Sequence, residues 1–440
     1  MKRVLRTSAA LLVTVTATWL APDVLAWGPH DRITAVAQAA LPEQERARAV
    51  AWFGNDWKQM ESYCLMPDQQ RGMLRTFFPS DYLLWPVVPR HMGHMPPDVL
   101  QTYEPYCKRA LQAMRTESPQ NAARWIGSLV HFVEDIGAPP HAAGIGGEMH
   151  KRLENWLDAK AITIGDYKPQ LLGSDDRTAI AGLIGRVNGL MAYSKARAES
   201  IRDAVAALPS RQDQPVILEC ANESARVVAD LLHTLLKLGL SESRHLTLSG
   251  RVTLPPGAPL PGQAAKVILP GTEFSTLTDT NGGWSFYNLP AGHYRVAIER
   301  IGCATVLDAG TDVALAPSNP PGNLVRNPDF ALSWLTGKTP DHWTAISASA
   351  KLNGFESDNI RIRSNVVYRV GIAEAAPGVQ VGVRWRVEPA GGSVTNVVWL
   401  ATPEERELTP STTAAWAQVL VVTKLPLTNA AKRVWLAPVQ

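Results

Sequence analysis

The stretch HFVEDIGAPPHAAGIGGEMHKRLENW, residues 131–156, gathers His131, His141, His150, Asp135 and Glu154 around a turn of Gly, Ala and Pro. His131 and Asp135 lie four residues apart in a run, Ala122 to Ile136, whose apolar residues Trp125, Leu129, Phe132, Val133 and Ile136 recur with helical period. Both polar side chains therefore share one helix face. Gly137, Pro139 and Pro140 are expected to end that helix. His150 and Glu154 repeat the four-residue step on a second predicted helix, with Leu153, Trp156 and Leu157 for its buried side, and His141 is expected on the loop between them. Neutral imidazole and carboxylate are ligands that zinc accepts, and i,i+4 placement lets two side chains of one helix reach one ion. Either pair alone is more often an ion pair or a satisfied core histidine, but the full string H-x3-D-x5-H-x8-H-x3-E favours a metal site.

The elements that must carry these residues divide the chain. From Trp27 to about Leu246 the apolar pattern is helical, as in AVAQAALPEQERARAVAWFGNDWKQMESYC and ESARVVADLLHTLLKLGL. From there it changes to short alternating runs bounded by Gly, Pro and Asn-Gly, with the boundary near SESRHLTLSG. In residues 247–315, Trp284 with Phe286, and Tyr294 with Val296 and Ile298, point to one face by period two, and Asn281-Gly282 signals a hairpin turn. After the joint LAPSNPPGN, residues 323–440 alternate again, as at Val381, Val383, Trp385 and Val387. The expected fold is multidomain, one all-α domain followed by two all-β sandwich domains.

Composition is compatible with an exported metalloprotein. Lys2, Arg3 and Arg6, an apolar core from Ala9 to Ala21, and Val24 with Ala26 before the cut describe a signal peptide over residues 1–26. The expected location is secreted or periplasmic, with Trp27 first after cleavage behind Ala26. The apolar run is short for a membrane anchor. A net charge of +3 among 440 residues gives no broad basic field for nucleic acid or acidic membranes. Cys64, Cys107, Cys220 and Cys303 show no CxxC spacing, so one disulfide or none is expected and no thiolate metal site. Six of the ten histidines fall between His30 and His150. With Trp27 as the first residue, its free amine and carbonyl oxygen join His30 as candidate metal ligands.

AWGPH, SLVHFVEDIGAPPH and MHKRLENW together make residues 27 to 246 resemble the zinc-dependent phospholipase C and S1/P1 nuclease family. The resemblance implies an all-helical domain with three zinc ions in a cleft. Carried onto this chain, it places Trp27, His30 and bridging Asp135 on one zinc, His131 and Asp135 on a second, and His141, His150 and Glu154 on the third. It also asks for one more histidine, His94 in GHMPPD or His91 in RHMGH, and one more aspartate, Asp68 in MPDQQ or Asp81 in PSDYLLW. His141 and His150, and Trp27 and His30, stand closer together than is usual in that family, so the loops at the cleft are expected to differ. STLTDTNGGWSFYNLPAGHYRVAI resembles the transthyretin-like regulatory domain appended to carboxypeptidases, which implies a small β-sandwich without catalytic groups over 247–315. NLVRNPDF, PDHW and VGVRWRV make residues 323–440 similar to jelly-roll modules that bind carbohydrate, through Trp rings where these are exposed rather than core.

Zinc lowers the pKa of a water it holds toward ~7, which suits in-line attack on phosphorus at neutral pH. Asp68 or Asp81 would orient or deprotonate that water. Three functions follow. The first is a secreted phosphodiester hydrolase of phospholipase C type acting on a phospholipid or related ester, which Glu154 favours because nucleases of the family tend to carry Asp there. The second is a nuclease or 3′-nucleotidase acting on single-stranded nucleic acid, with Phe77, Phe78, Tyr82 and Trp85 as candidate base platforms. The third is a non-catalytic surface protein with structural zinc. No stable protein partner is expected.

Overall fold

The structure, a computed structural model, describes residues 28–65, 67, 94–241, 243–258, 264–332, 340, 343–348, 352–357, 360–362, 366–387, 394–400, 405–409, 414–423 and 425–439. The side chains of Trp385, Val387, Trp399 and Trp416 are not among the described groups. Expectations for residues 1–27, Asp68, Phe77, Phe78, Asp81, Tyr82, Trp85 and His91 also lie outside the described residues.

Helices α1 (His30–Ala39), α2 (Glu43–Phe53), α3 (Asn55–Tyr63), α4 (Tyr103–Thr116), α5 (Pro119–Gly137), α6 (Pro139–Ala143), α7 (Gly147–Asn155), α8 (Asp176–Ala206) and α9 (Pro215–Gly239) occupy the N-terminal half. The first long apolar run of the sequence is broken twice, at Pro42 before α2 and at Gly54, whose φ of 57° turns the chain into α3. Among the described residues no helix is long and apolar enough to cross a membrane.

Helix α5 is the axis of this half. Pro119 occupies its first turn, where no intrahelical N–H is needed, and the Ser118 hydroxyl accepts from Asn121 N at 3.2 Å. From Asn121 to Gly137 all residues but Arg124 are buried, with α1, α2, α3, α4, α6, α8 and α9 packed around them. A helix apolar nearly all round belongs inside a domain, so its polar residues must find partners there.

Two glycines set the closeness of that packing. A Cβ on Gly127 would lie 2.7 Å from Tyr63 Cβ and 3.0 Å from Cys64 N, and a Cβ on Gly137 would lie 1.6 Å from Ser224 Oγ. Gly127→Ala should therefore lower stability by about 1–3 kcal/mol, because part of the clash is with backbone that cannot rotate away. A urea titration reads this as a lower midpoint at unchanged slope.

Ala138 is extended (φ −70°, ψ 124°), as a residue before proline prefers, and ends α5. The chain then makes one more helical turn, α6, so His141 stands on a helix and not on the expected loop. Prolines at the start of a helix preset φ, and Gly144 at φ 66° closes the turn.

Strands β1 (Leu246–Thr253), β2 (Lys266–Ile268), β3 (Ser275–Leu277), β4 (Gly283–Tyr287), β5 (Ala297–Glu299) and β6 (Asp312–Ala314) form two three-stranded sheets, ordered β4-β1-β6 and β3-β2-β5. Val252, Val267, Trp284, Phe286, Val296 and Ile298 fill the core between them, with Tyr294 half-buried at its edge. Asn281-Gly282 does turn, with Asp279 Oδ1 accepting from Asn281 N and Gly283 N at 2.8 Å each, and Gly282 at φ 81°. Its flanking strands β3 and β4 belong to different sheets, so the expected hairpin is a crossover between layers.

The C-terminal strands are β7 (Trp343–Ala348), β8 (Leu352–Ser357), β9 (Ile360–Arg361), β10 (Tyr368–Ala373), β11 (Gln380–Val387), β12 (Val394–Leu400), β13 (Arg406–Leu408), β14 (Ala414–Val422) and β15 (Arg433–Pro438), with a short helix α10 (Leu427–Ala430). The sheet β12-β11-β14-β8-β7, joined by β9, accompanies the sheet β13-β10-β15. Val381 and Val383 point into the core as their alternation predicts. Trp343 is fully buried and donates from Nε1 to Asn327 O at 3.1 Å, so this ring of PDHW is core and not a sugar platform.

The β1–β6 sandwich is docked on the α4–α5 corner. Arg109 of α4 pairs with Glu117, and both are buried. Arg109 also donates to Ser275 Oγ at 3.1 Å, Asn121 Nδ2 to Ser275 O at 3.2 Å, and Ser118 N to Thr276 Oγ1 at 3.3 Å. Arg109→Met should cost about 3 kcal/mol, because it leaves the Glu117 carboxylate buried without its cation. Thermal unfolding of the full chain measures this.

Candidate metal centre

Asp135 sits at the meeting point of four imidazoles delivered by four different segments. His30 opens α1, His94 lies in the turn preceding α4, His131 is one turn back on α5, and His141 is on α6. His94 Nδ1 lies 2.6 Å and His131 Nε2 3.1 Å from Asp135 Oδ2. His30 Nε2 lies 3.5 Å and His141 Nδ1 3.6 Å from Asp135 Oδ1. The i,i+4 spacing on α5 thus brings His131 and Asp135 together, but on a face covered by other helices.

The second group is built on α7. Glu154 Oε1 lies 3.2 Å from His141 Nε2, and Glu154 Oε2 lies 3.5 Å from His150 Nε2. Backbone carbonyls orient both rings: His141 Nδ1 faces His94 O at 3.0 Å, and His150 Nδ1 faces Ile145 O at 2.7 Å. With Nδ1–H donating to a carbonyl, Nε2 is the nitrogen each ring directs at Glu154, and a metal taking the place of its proton would find the tautomer it needs. His141 touches both carboxylates and so joins the two groups.

Electrostatics agree with a cation site. Burial works against the charge of Asp135, yet the neighbouring His131, His141 and His94 hold its carboxyl well below the usual range. Burial also opposes charge on His141, but Asp135 and Glu154 raise it to about 9. Burial likewise opposes charge on His30, but Asp135 and Glu134 raise it well above its ordinary value, while burial pushes the Glu134 carboxyl up. Without a metal, the negative charge of the centre is met by protons on imidazoles, places a dication can take.

The donor chemistry fits a borderline metal such as zinc. One ligand atom from each of His30, His131 and Asp135 lies within 4.8 Å of the others, as is true of His141, His150 and Glu154. Both sets are imidazole and carboxylate, without thiolate, and the members of the first are all buried. The cysteines are four buried free thiols, with Cys64 beside Thr34 and Glu134, and those of Cys107 and Cys220 are pushed up to about 12 by burial. Of the other residues expected at the centre, the structure brings His94 to Asp135, while Trp27, Asp68, Asp81 and His91 lie outside the described residues. Gly28, which follows Trp27, donates its N–H to Asn155 Oδ1 at 3.2 Å, so the chain enters α1 beside the helix that carries Glu154.

Sequence reasoning missed Glu134, Thr34 and Asn155. Glu134 takes His30 Nδ1 on Oε2 at 2.7 Å and the Thr34 hydroxyl on Oε1 at 2.8 Å, all three residues being buried. The signal was present: a carboxylate in a helix this apolar must have a buried partner.

No curated protein matches the chain. Solved structures similar to it include the alpha toxin from Clostridium absonum, at 12% identity, covering 62% of this chain and 86% of that one with a TM-score of 0.34. They also include the Clostridium perfringens alpha-toxin isolated from avian strain SWCP, at 11% identity, 63% and 86% coverage and a TM-score of 0.30. A further one concerns the promiscuous specificity of carbohydrate-binding modules from the β-sandwich superfamily, at 11% identity, 44% and 94% coverage and a TM-score of 0.14. Residues 247–322 match the family model of the carboxypeptidase regulatory-like domain, which this chain therefore carries behind its helical half.

Proposed function

We propose that the helical half is a zinc-dependent phosphodiester hydrolase of phospholipase C type, exported and cut behind Ala26. The observation that carries this reading is the convergence of two imidazole–carboxylate groups, from α1, the His94 turn, α5, α6 and α7, on the contact between His141 and Asp135. A single structural ion needs four ligands. The donors gathered here exceed that number, which supports a multi-ion centre of the hydrolytic kind.

Zinc bound there would supply Lewis acidity toward a phosphoryl oxygen and a water acidic enough to attack at neutral pH. The chain's own groups do the rest. His30, His94, His131 and Asp135 would hold one side of the centre, and His141, His150 and Glu154 the other. The carbonyls of His94 and Ile145 keep the α6 and α7 imidazoles in the ligating tautomer. Asp68 or Asp81 would orient or deprotonate the attacking water. The hydrogen bond from Gly28 to Asn155 supports a role for Trp27 as a terminal ligand, since it holds the residue after Trp27 beside the neighbour of Glu154 on α7.

The test is zinc content with hydrolysis of a phosphatidylcholine dispersion and of single-stranded DNA, on protein beginning at Trp27. About three zincs with release of a phosphorylated headgroup is the expected result. Cleavage of DNA alone would move the chain to the nuclease reading, zinc without either activity would leave a structural role, and no zinc would end the metal reading.

A further inference from the structure

We propose that Glu134 is a positioning residue for the ligand His30, fixing which imidazole nitrogen faces the metal. The proposal rests on the metal reading above and goes beyond it, to a carboxylate whose two oxygens bond His30 and Thr34. His30 Nδ1 donates to Glu134 Oε2 at 2.7 Å, and the other ring nitrogen, Nε2, is then the one directed at Asp135 Oδ1, 3.5 Å away. Glu134 is itself held, since its Oε1 accepts the Thr34 hydroxyl at 2.8 Å. Thr34 lies four residues after His30 on α1, and Glu134 lies one residue before Asp135 on α5. The carboxylate thus ties the ligand of one helix to the ligand of another, with His30, Thr34, Glu134 and Asp135 all buried.

This geometry is chemically specific. An imidazole can ligate through either nitrogen, and a carboxylate on the far nitrogen selects one tautomer, orients the ring and raises its basicity. A buried glutamate is costly to keep without partners, and the pairing with His30 and Thr34 satisfies both of its oxygens. Loss of such a support weakens metal binding by about 10–100-fold.

The experiment is zinc affinity by chelator competition for the wild type, Glu134→Gln, Thr34→Val, His30→Ala and the double variant Glu134→Gln/His30→Ala. Expected is a 10–100-fold weaker loss-prone zinc in Glu134→Gln, a smaller weakening in Thr34→Val, and no further weakening when Glu134→Gln is added to His30→Ala. If Glu134→Gln weakens binding equally with and without His30, it acts through the fold and the proposal is overturned. Wild-type affinity within threefold in Glu134→Gln also overturns it, while the metal reading stands. A wild type that binds no zinc at all overturns both. If Glu134→Gln does not fold, as judged by circular dichroism, Thr34→Val with and without His30 gives the same comparison, and equal weakening in the two backgrounds again overturns the proposal.

Discussion

Asp135→Asn is expected to remove zinc from the first donor group and to lower hydrolysis by about a thousandfold. The substitution keeps the size of the side chain but replaces one ligating oxygen by an NH2 with no lone pair to give. Lewis-acid stabilisation is worth several kcal/mol, and each 1.36 kcal/mol is a factor of ten in rate. Both Asp135 oxygens are in use, Oδ2 by His94 and His131 and Oδ1 by His30 and His141, so no rotation of the amide spares the site. The metal-free variant should also be less stable at neutral pH by about 3 kcal/mol, since a buried cluster of imidazoles loses its counter-charge. Zinc analysis, initial rates and a urea midpoint give the three readings. Full zinc content and activity within tenfold of wild type would remove Asp135 from the centre.

Removal of zinc is expected to lower the melting temperature, and to lower it more at pH 9 than at pH 6.5. In the metal-free protein the His141 imidazole is raised from 6.5 to about 9 by Asp135 and Glu154 against the effect of burial. A group raised on folding stabilises the native state fully below its unfolded value and loses that contribution as pH climbs to its folded value. Protonated His141 therefore supports the metal-free fold near pH 6.5 and no longer does so above pH 9. His30 is shifted in the same direction. Asp135, held well below its ordinary 3.8, contributes throughout this window and loses its contribution only in acid, as pH falls through its folded value. Zinc competes with the imidazole protons, so its affinity rises over the same interval. Calorimetric scans with and without chelator at pH 6.5, 7.5 and 9 should show a widening gap, and a gap that narrows with pH would contradict the proton count assigned to these histidines.

The two histidine–carboxylate pairs were legible because helical spacing is a local property. His131 with Asp135, and His150 with Glu154, needed only the 3.6-residue period and a recognised helix. What the sequence could not show was the depth of α5: a periodic run predicts one wet face, and here seven helices cover it. The same limit hid Glu134, whose partners His30 and Thr34 are a hundred residues away. His141 stands on a helix where the sequence predicts a loop, because Pro139 and Pro140, which end α5, also favour the start of α6. The alternation of Trp284 with Phe286 and of Val381 with Val383 gave strand faces correctly, since period two is also local. Which strands become neighbours is not local, and the turn at Asn281-Gly282 therefore joins two sheets where a hairpin was expected.

The docking of β3 on the α4–α5 corner bears on how this chain can be cut and recombined. A regulatory-like module looks portable in sequence, bounded by turns and recognisable by itself. In the folded molecule its Ser275 and Thr276 complete the polar shell of Arg109, Asn121 and Ser118, at the head of the helix whose far end holds His131 and Asp135. A chain truncated at residue 246 would have to hydrate that corner afresh, and a chimera would keep this packing only if its new module brought a hydroxyl pair to the same place. The inheritable piece is the helical half together with the strand that closes it.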